Sequence, residues 1–201
     1  MNSLITELVQ SYQSLNSYWE GSVFQPVTQL STDYKGRWGE ELLYRLVHEH
    51  TPYDVHWDGD TNTNCDDGVY DLWWTVGDTK TRVEVKTSGR TVSNGRPVGY
   101  QHENVYHGDN SWDKLVFVDY DRDDVIHFTV LSYDSVVVDG RLDLTSLGKR
   151  GHVRKNTTDK SKVDFSTKTL RLGLETGVTF RYDVNNPDDE GLSQFLTSRL
   201  M

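Results

Sequence analysis

The sequence predicts an α/β protein that folds as one domain. Two patterns indicate this class: apolar residues recur at helical spacing before residue 50, and β-branched and aromatic residues form short runs on either side of a tight turn at residues 77–78. Two further apolar runs, at residues 114–120 and 125–131, predict additional strands. With 201 residues, 35% of them hydrophobic and 11% aromatic, the chain can bury one good core.

The stretch from residue 68 to residue 90 predicts a β-hairpin. Its two strand-like runs flank Gly77 and Asp78, and glycine at the first of two central positions is what a type II′ turn requires. With these two residues as the loop, Val76 lies opposite Thr79. This pairing fixes the register along both strands.

The predicted register brings like charges together. It places Asp71 directly opposite Glu84, and Lys86 follows on the Glu84 face because side chains alternate along a strand. Opposed carboxylates destabilise a hairpin unless a cation lies between them, and carboxylate oxygens on rigid strands suit Mg²⁺. The alternative is an ordinary exposed hairpin face, on which Lys86 pairs with Glu84 and Asp71 is solvated.

A helix is predicted to begin at the cap candidates Ser31, Thr32 and Asp33 and to end near His50. Apolar residues that recur every four positions define its expected buried stripe. These residues are Tyr34, Trp38, Leu42 and Leu46.

Two adjacent glutamates on this helix have different surroundings. Glu41 lies one turn from Arg45 and is expected to be a solvated helix charge. Glu40 shares its side of the helix with Gly36 and Leu43, at the margin of the apolar face, where a carboxylate is costly unless it meets a cation or strong donors. The alternative is an edge glutamate whose carboxylate reaches water.

The remaining segments predict smaller elements around this centre. They are a helix from about Ser3 to Ser17, a strand or short hairpin within residues 132–148, short strands near Thr169–Leu172 and Val178–Tyr182, and a final helix at about Asp189–Leu200.

The order of the charged motifs resembles the PD-(D/E)XK nuclease superfamily, which includes many restriction endonucleases. A helix that carries Gly36-Arg-Trp-Gly-Glu40 is followed by Asp71, then by twelve residues, then by Glu84-Val85-Lys86. The proline of the family name is absent, because Tyr70 precedes Asp71. Similar proteins often carry a glutamine in a helix after this strand, and Gln101 matches that placement. The resemblance covers about residues 33–131.

This resemblance implies a restriction-endonuclease-like fold, with a mixed central β-sheet flanked by helices and a β-rich C-terminal extension at about residues 132–201. It implies that Asp71, Glu84, the Val85 carbonyl and Glu40 hold Mg²⁺, for which Mn²⁺ can substitute. Lys86 would orient or deprotonate the attacking water, and Gln101 would contact a phosphate or Lys86. The extension is expected to serve substrate recognition or dimerisation, so a homodimer stays open.

The expected function is that of a Mg²⁺-dependent endodeoxyribonuclease that hydrolyses phosphodiester bonds, with duplex DNA as the favoured substrate. Restriction, phage DNA metabolism and repair all remain open as its setting. An exonuclease and a nuclease of RNA or of branched or single-stranded DNA are alternatives. A non-catalytic nucleic-acid-binding module is a third alternative, which has no need of opposed carboxylates.

The net charge of −10 argues against a polyanion as partner, but one segment differs from the rest of the chain. Residues 149–171 carry eight basic and two acidic side chains, and such a local patch attracts a phosphate backbone. The residues expected to contact nucleic acid are Lys149, Arg150, Arg154, Lys155, Lys160 and Lys162, together with Arg90. The alternative is that this segment is only a solvated surface hairpin.

Targeting and redox signals are weak. No run of about 18 apolar residues and no signal peptide occurs in the sequence, so neither a membrane span nor secretion is expected and a cytoplasmic location follows as the default. A single cysteine, Cys65, excludes a framework of intrachain disulfides.

Overall fold

The computed structural model describes residues 17–57, 70–106, 108, 111–139, 141–147, 150–152 and 162–201. The predicted helix at Ser3–Ser17 lies almost entirely outside these residues. Twelve strands are present in the described part of the chain: β1 (His56–Trp57), β2 (Leu72–Val76), β3 (Thr79–Gly89), β4 (Thr91–Ser93), β5 (Arg96–Tyr106), β6 (Lys114–Asp121), β7 (Val125–Ser132), β8 (Val137–Val138), β9 (Arg141–Leu142), β10 (Arg150–His152), β11 (Lys162–Thr167) and β12 (Thr179–Asp183).

Five α-helices and one 3₁₀ turn accompany these strands in the described part of the chain. They are α1 (Gln25–Thr28), α2 (Thr32–His50), α3 (Tyr133–Val136), the 3₁₀ turn Thr145–Leu147, α4 (Arg171–Glu175) and α5 (Asp189–Leu200).

The central sheet has six strands in the order β1-β2-β3-β6-β7-β12. The β3–β6 pair is parallel and the other four pairs are antiparallel, so the sheet is mixed, as the sequence predicted. A second sheet has the order β10-β11-β5-β4, and β8 and β9 form a separate hairpin. The predicted hairpin character of residues 132–148 is therefore confirmed, with α3 preceding it.

Apolar side chains cover both faces of the central sheet because successive residues of a strand point to opposite faces. On one face, valines of β3 and β6 pack against α2 and α5 in one core cluster. On the other face, Leu115 and Phe117 of β6 join Val105 of β5 and Phe165 of β11 in a second cluster. The fold is thus a mixed α/β architecture with helices against one face of its central sheet and the smaller sheet against the other.

The hairpin around Gly77 has the predicted register. Val76 pairs with Thr79, and the pairing continues to Leu72 and Val83. Gly77 has φ +60°, a left-handed backbone conformation that glycine adopts without the strain other residues meet.

Helix α2 has the predicted bounds, but its buried stripe is shifted by one residue. The Ser31 side chain accepts a hydrogen bond from the Tyr34 backbone N–H and caps the helix, which ends at His50. The fully buried positions are Gly39, Leu43 and Val47, whereas Tyr34 is 64% exposed. Trp38, Leu42 and Leu46 of the expected stripe are partly buried and pack against the same core cluster, so the stripe is confirmed in part and Tyr34 lies outside it.

Gly39 is the physical reason for the shift. It faces Thr87 of β3 so closely that a Cβ at position 39 would overlap the threonine side chain. The line of closest approach between helix and strand thus runs through a residue with no side chain, and a pattern of large apolar residues does not detect it.

The C-terminal part of the chain completes the central sheet. Strand β12 matches the run predicted near Val178–Tyr182, and α5 has the predicted bounds. The strand predicted at Thr169–Leu172 was wrong, because the Thr167 hydroxyl donates to the Thr169 carbonyl (2.7 Å) where the chain leaves β11, and α4 begins at Arg171. A helix with the length and apolar composition of a membrane span is not found in the part of the chain that the structure describes.

We expect Gly39→Ala to lower the free energy of unfolding by about 1–3 kcal/mol, because the added methyl group would force α2 away from Thr87. Urea unfolding followed by circular dichroism measures this change. Gly36→Ala is the matched control, since a Cβ there meets nothing closer than Glu40 Oε1 at 3.9 Å and gains up to about 1 kcal/mol of helix propensity. Equal effects of the two substitutions would contradict the close contact at Gly39.

Candidate active site

Asp71 lies immediately before β2, where the hairpin pairing ends. Its backbone N–H donates to the Val83 carbonyl (2.8 Å), whereas the predicted register would place Asp71 opposite Glu84. Its Oδ2 accepts a hydrogen bond from the Val85 backbone N–H (2.7 Å). The simple opposition of Asp71 and Glu84 on one sheet face was therefore wrong in detail. The Val85 N–H of β3 donates to the Asp71 carboxylate, where a regular ladder would provide a backbone carbonyl as acceptor. This hydrogen bond holds the carboxylate against the β3 backbone.

Glu84 and Lys86 project from the same face of β3, as the alternation of a strand requires. The Lys86 ammonium forms an ion pair with Glu84 Oε1, and the two side chains are 22% and 8% exposed, respectively. Asp71 and Glu40 also raise the pKa of Lys86, so its ammonium has other carboxyl groups near it besides Glu84.

Glu40 reaches the same site from α2. The indole N–H of Trp57, on β1, donates to Glu40 Oε2 (3.2 Å). Sequence reasoning missed Trp57 as a partner of Glu40, because no local pattern links residues that the chain separates by a helix end and a loop. Glu41 pairs with Arg45 one turn further on, as predicted for a solvated helix charge.

The carboxyl groups of this site have raised pKa values. Burial, followed by the field of Asp71, raises the pKa of Glu84 to about 8 and that of Glu40 to about 7. Burial also raises the pKa of Asp71, although Lys86 and the Val85 N–H oppose that shift. Burial lowers the pKa of Lys86, but Glu84 and Asp71 outweigh this effect and keep the ammonium charged.

These shifts show that Glu40, Asp71, Glu84 and Lys86 act on one another as a group. They come from a helix, a loop and a strand. The sequence showed only their order along the chain, and the fold brings them close to one another. Three carboxyl groups share one ammonium group, and each carboxyl group that ionises makes ionisation of the next more costly.

The donor chemistry fits a hard divalent cation. Carboxylate oxygens are what Mg²⁺ prefers, and the excess of carboxyl groups over ammonium groups is what a dication would neutralise. As arranged in the described residues, however, no group of three or more His, Cys, Asp or Glu side chains is placed to hold a metal ion. The Glu84 carboxylate is instead turned to Lys86.

Gln101 was predicted to lie in a helix, and this prediction was wrong. It lies on β5, where it pairs with Ser166 of β11, and its side chain is exposed. Its backbone N–H donates to Ser88 Oγ (3.0 Å), two residues beyond Lys86 on β3. The segment begins as the second strand of a hairpin with β4, across the Asn94-Gly95 turn, and its later residues pair with β11.

The residues predicted to contact nucleic acid are only partly described. Arg90 forms an ion pair with Asp121 (3.1 Å) beside Tyr100. The backbones of Arg150 and Lys162 belong to β10 and β11 of the smaller sheet. Outside the described residues lie Lys149, Arg154, Lys155 and Lys160.

Comparisons with known proteins give a distant structural likeness. No family model matches the sequence. No curated protein matches it. Among solved structures, the chain is similar to a bacterial homing endonuclease, I-Ssp6803I, with 22% sequence identity and a TM-score of 0.36 over 52% of this chain and 67% of that chain.

We expect the stability of the protein in EDTA to fall as the pH rises from about 4.5 to about 8. Because Glu40 and Glu84 have raised pKa values in the folded chain, the folded state binds more protons than the unfolded state across this window. Stabilisation from their protonated forms is complete near pH 4.5 and is lost through pH 7 to 8, with a total on the order of a few kcal/mol.

Urea unfolding from pH 5 to pH 9 measures this dependence for the wild type and for Glu84→Gln. The variant should lose much less stability over the same range, because its amide does not titrate. Glu41→Gln, on the solvated side of α2, should keep the wild-type dependence. Parallel curves for the wild type and Glu84→Gln would contradict the raised pKa of Glu84.

Proposed function

We propose that the protein is a Mg²⁺-dependent nuclease that hydrolyses phosphodiester bonds within DNA. The observation that carries this proposal is the convergence of Glu40, Asp71, Glu84 and Lys86 in one partly buried, electrostatically coupled site. Burial of three carboxyl groups beside one ammonium group costs stability, so a functional reason for their position is the simplest account.

In this proposal Asp71, Glu84 and the Val85 carbonyl would hold the ion, and Glu40 would complete the set directly or through water. When bound, Mg²⁺ would lower the pKa of a water molecule and neutralise negative charge on the phosphate. Asp71 would be kept in place by the Val85 N–H (2.7 Å), and Glu40 by the Trp57 indole N–H (3.2 Å). Both hydrogen bonds orient a carboxylate before any ion arrives.

Lys86 would act on the substrate itself. Its ammonium carries a permanent charge beside Glu84, and a fixed charge that lies where the phosphate gains negative charge stabilises the transition state more than the ground state. Release of Glu84 toward the ion would free this ammonium to face the phosphate and the attacking water. Glu84 would thus alternate between a lysine partner and a cation partner.

Nucleic acid would reach this site along cationic surface outside the acidic part of the chain. We assign the main phosphate contacts to the basic segment at residues 149–171, which contrasts with the net charge of −10. Duplex DNA is the favoured substrate. Cleavage from strand ends, and cleavage of RNA or branched DNA, are alternatives with the same chemistry, and a non-catalytic binding module is an alternative from another class.

One experiment separates these alternatives. Purified protein with Mg²⁺ is incubated with circular duplex DNA, linear duplex DNA, single-stranded DNA and RNA, and the products are resolved on gels. Cleavage of the circular duplex supports an endonuclease, and cleavage of the linear duplex alone supports an exonuclease. Binding without cleavage of any substrate supports the binding module, whereas full activity in excess EDTA would overturn the metal dependence.

We expect Asp71→Asn and Glu84→Gln to abolish cleavage while the fold stays intact. Both changes remove a proposed ligand of the ion, and each also removes repulsion between buried carboxylates, so stability in EDTA should stay the same or rise slightly. Gel assays with Mg²⁺ and Mn²⁺, with calorimetry of Mg²⁺ binding, measure the two effects. Unchanged Mg²⁺ affinity in Asp71→Asn would remove Asp71 from the proposed site.

We expect Lys86→Ala to slow the chemical step by several orders of magnitude while the substrate still binds, because its charge acts mainly on the transition state. Single-turnover rates and affinity in Ca²⁺ separate the two quantities, and circular dichroism verifies the fold. Glu40→Ala should reduce the rate more mildly, and Glu41→Ala, one position along the same helix, should be nearly silent. An inactive Glu41→Ala beside a normal Glu40→Ala would contradict the assigned face of α2.

A further inference from the structure

A cavity lies where the end of β3 meets the beginning of α2, and its described lining includes none of the four residues of the candidate active site. Its volume is about 300 Å³. Its lining includes two cationic side chains and two large aromatic rings, and none of its described lining residues is acidic. The main lining residues are Trp19, Lys35, Gly89, Arg90, Thr91 and Tyr120.

Arg90 is a fixed cation with an unused donor. Its Nη1 donates to Asp121 Oδ2 (3.1 Å) and to the Tyr100 hydroxyl (3.4 Å), and its guanidinium carbon lies 5.2 Å from the centre of the Tyr100 ring. These contacts hold the guanidinium in one position. The Arg90 Nε is buried and has no hydrogen-bond partner within the described part of the chain. A buried donor without a partner is costly, and a ligand atom is one means of satisfying it.

Lys35 provides a second positive charge on the same cavity. It lies in the first turns of α2, where the positive end of the helix dipole adds to its charge. Within residues that the structure describes, Lys35 has no ion-pair partner, whereas Arg45 on the same helix pairs with Glu41. Asp121 already pairs with Arg90, so Lys35 supplies the excess positive charge of a cavity whose described lining has no acidic residue, and such a cavity suits an anion.

We infer that Lys35 and Arg90 bind a phosphate group of the substrate strand other than the phosphate that is cleaved. This inference rests on the proposed function, in which the cleaved phosphate lies at Lys86. The Nε–H of an arginine is one of the donors that bind phosphate oxygens, and the Trp19 and Tyr120 rings give the cavity an apolar wall for a sugar.

The spacing along β3 separates the two phosphates. Arg90 follows Lys86 by four residues of nearly extended chain, which is roughly 13 Å at about 3.3 Å per residue. One phosphate group does not span that distance. Between these two residues β3 is covered, because Thr87 faces Gly39 of α2 and Ser88 Oγ accepts from the Gln101 N–H of β5. A substrate strand bound at Lys86 would therefore pass over the outside of the fold, and a different phosphate, a few nucleotides away, would reach the cavity.

The phosphate could also come from a free anion, and the experiment separates the two sources. Nuclear magnetic resonance of the arginine side chains detects the Nε–H of Arg90, whose signal is assigned by its loss in Arg90→Lys. The signal is followed in EDTA during titration with a short duplex oligonucleotide and, separately, with inorganic phosphate. A shift at micromolar oligonucleotide and none at millimolar inorganic phosphate is the expected result.

Affinity measurements test Lys35 independently. In EDTA, Lys35→Ala should weaken duplex binding severalfold and reduce the slope of log affinity against log salt by about 0.9, the value for one lost phosphate contact. Arg45→Ala removes an equal charge from the same helix, outside the cavity, and should change neither quantity. Effects of equal size in the two variants would show only a general loss of charge and would overturn the inference.

The other outcomes separate this inference from the proposed function. An Arg90 signal that responds to inorganic phosphate but not to the oligonucleotide would overturn the assignment to a nucleic-acid strand. Cleavage by the wild type with no response of Arg90 and a silent Lys35→Ala would overturn the phosphate site and leave the nuclease intact. Binding at the cavity by a wild type that cleaves nothing would support the phosphate site and contradict the nuclease.

Discussion

The close contact between Gly39 of α2 and Thr87 of β3 sets the geometry of the candidate site. Because no Cβ separates helix and strand at this point, α2 approaches the sheet more closely than larger residues would allow. Glu40 follows Gly39 directly, and this approach brings its carboxyl group into the field of Asp71, Glu84 and Lys86 on the sheet. Glycine lowers the intrinsic stability of the helix, and the close packing of α2 on the sheet offsets this loss.

Burial and opposite charge compete within the site, and burial prevails for the carboxyl groups. Lys86 lowers the pKa values of its three neighbours, yet the pKa of Glu84 still rises to about 8 and that of Glu40 to about 7. At neutral pH the group thus retains protons that a divalent cation would displace. Binding of an ion at this site would therefore release protons, so its affinity depends on pH.

The sequence alone predicted the parts of the fold that local chemistry determines. The turn at Gly77, the cap at Ser31 and the bounds of α5 each depend on residues that lie next to one another in the chain, and all three are confirmed. The errors have a different origin. Gln101 lies on a strand, β5, that pairs with both β4 and β11, and Trp57 contacts Glu40 through the folded chain. The Trp57 contact has no local pattern, whereas the Asn94-Gly95 turn before β5 is a local hairpin signal that the helix prediction overlooked.

The same distinction applies to the site. Spacing predicted that Asp71, Glu84 and Lys86 belong together, since one hairpin carries all three. It did not predict that the Asp71 carboxylate binds the Val85 N–H, because that contact requires the ladder to shift where β2 ends. The spacing placed Glu40 on the same side of α2 as Leu43, which is buried. It did not show that Gly39 is buried too, because a pattern of large apolar residues does not include a glycine.

Strand β3 connects the two ends of the proposed binding surface. It pairs in parallel with β6 from Val83 to Gly89, so Glu84 and Lys86 and the residues that follow them lie on a rigid support. In an extended strand the number of residues fixes the distance, whereas in a loop it does not. The separation between Lys86 and Arg90 is therefore encoded directly in the sequence. A substrate that binds both residues would present two different phosphates to them, because one phosphate group does not span that separation.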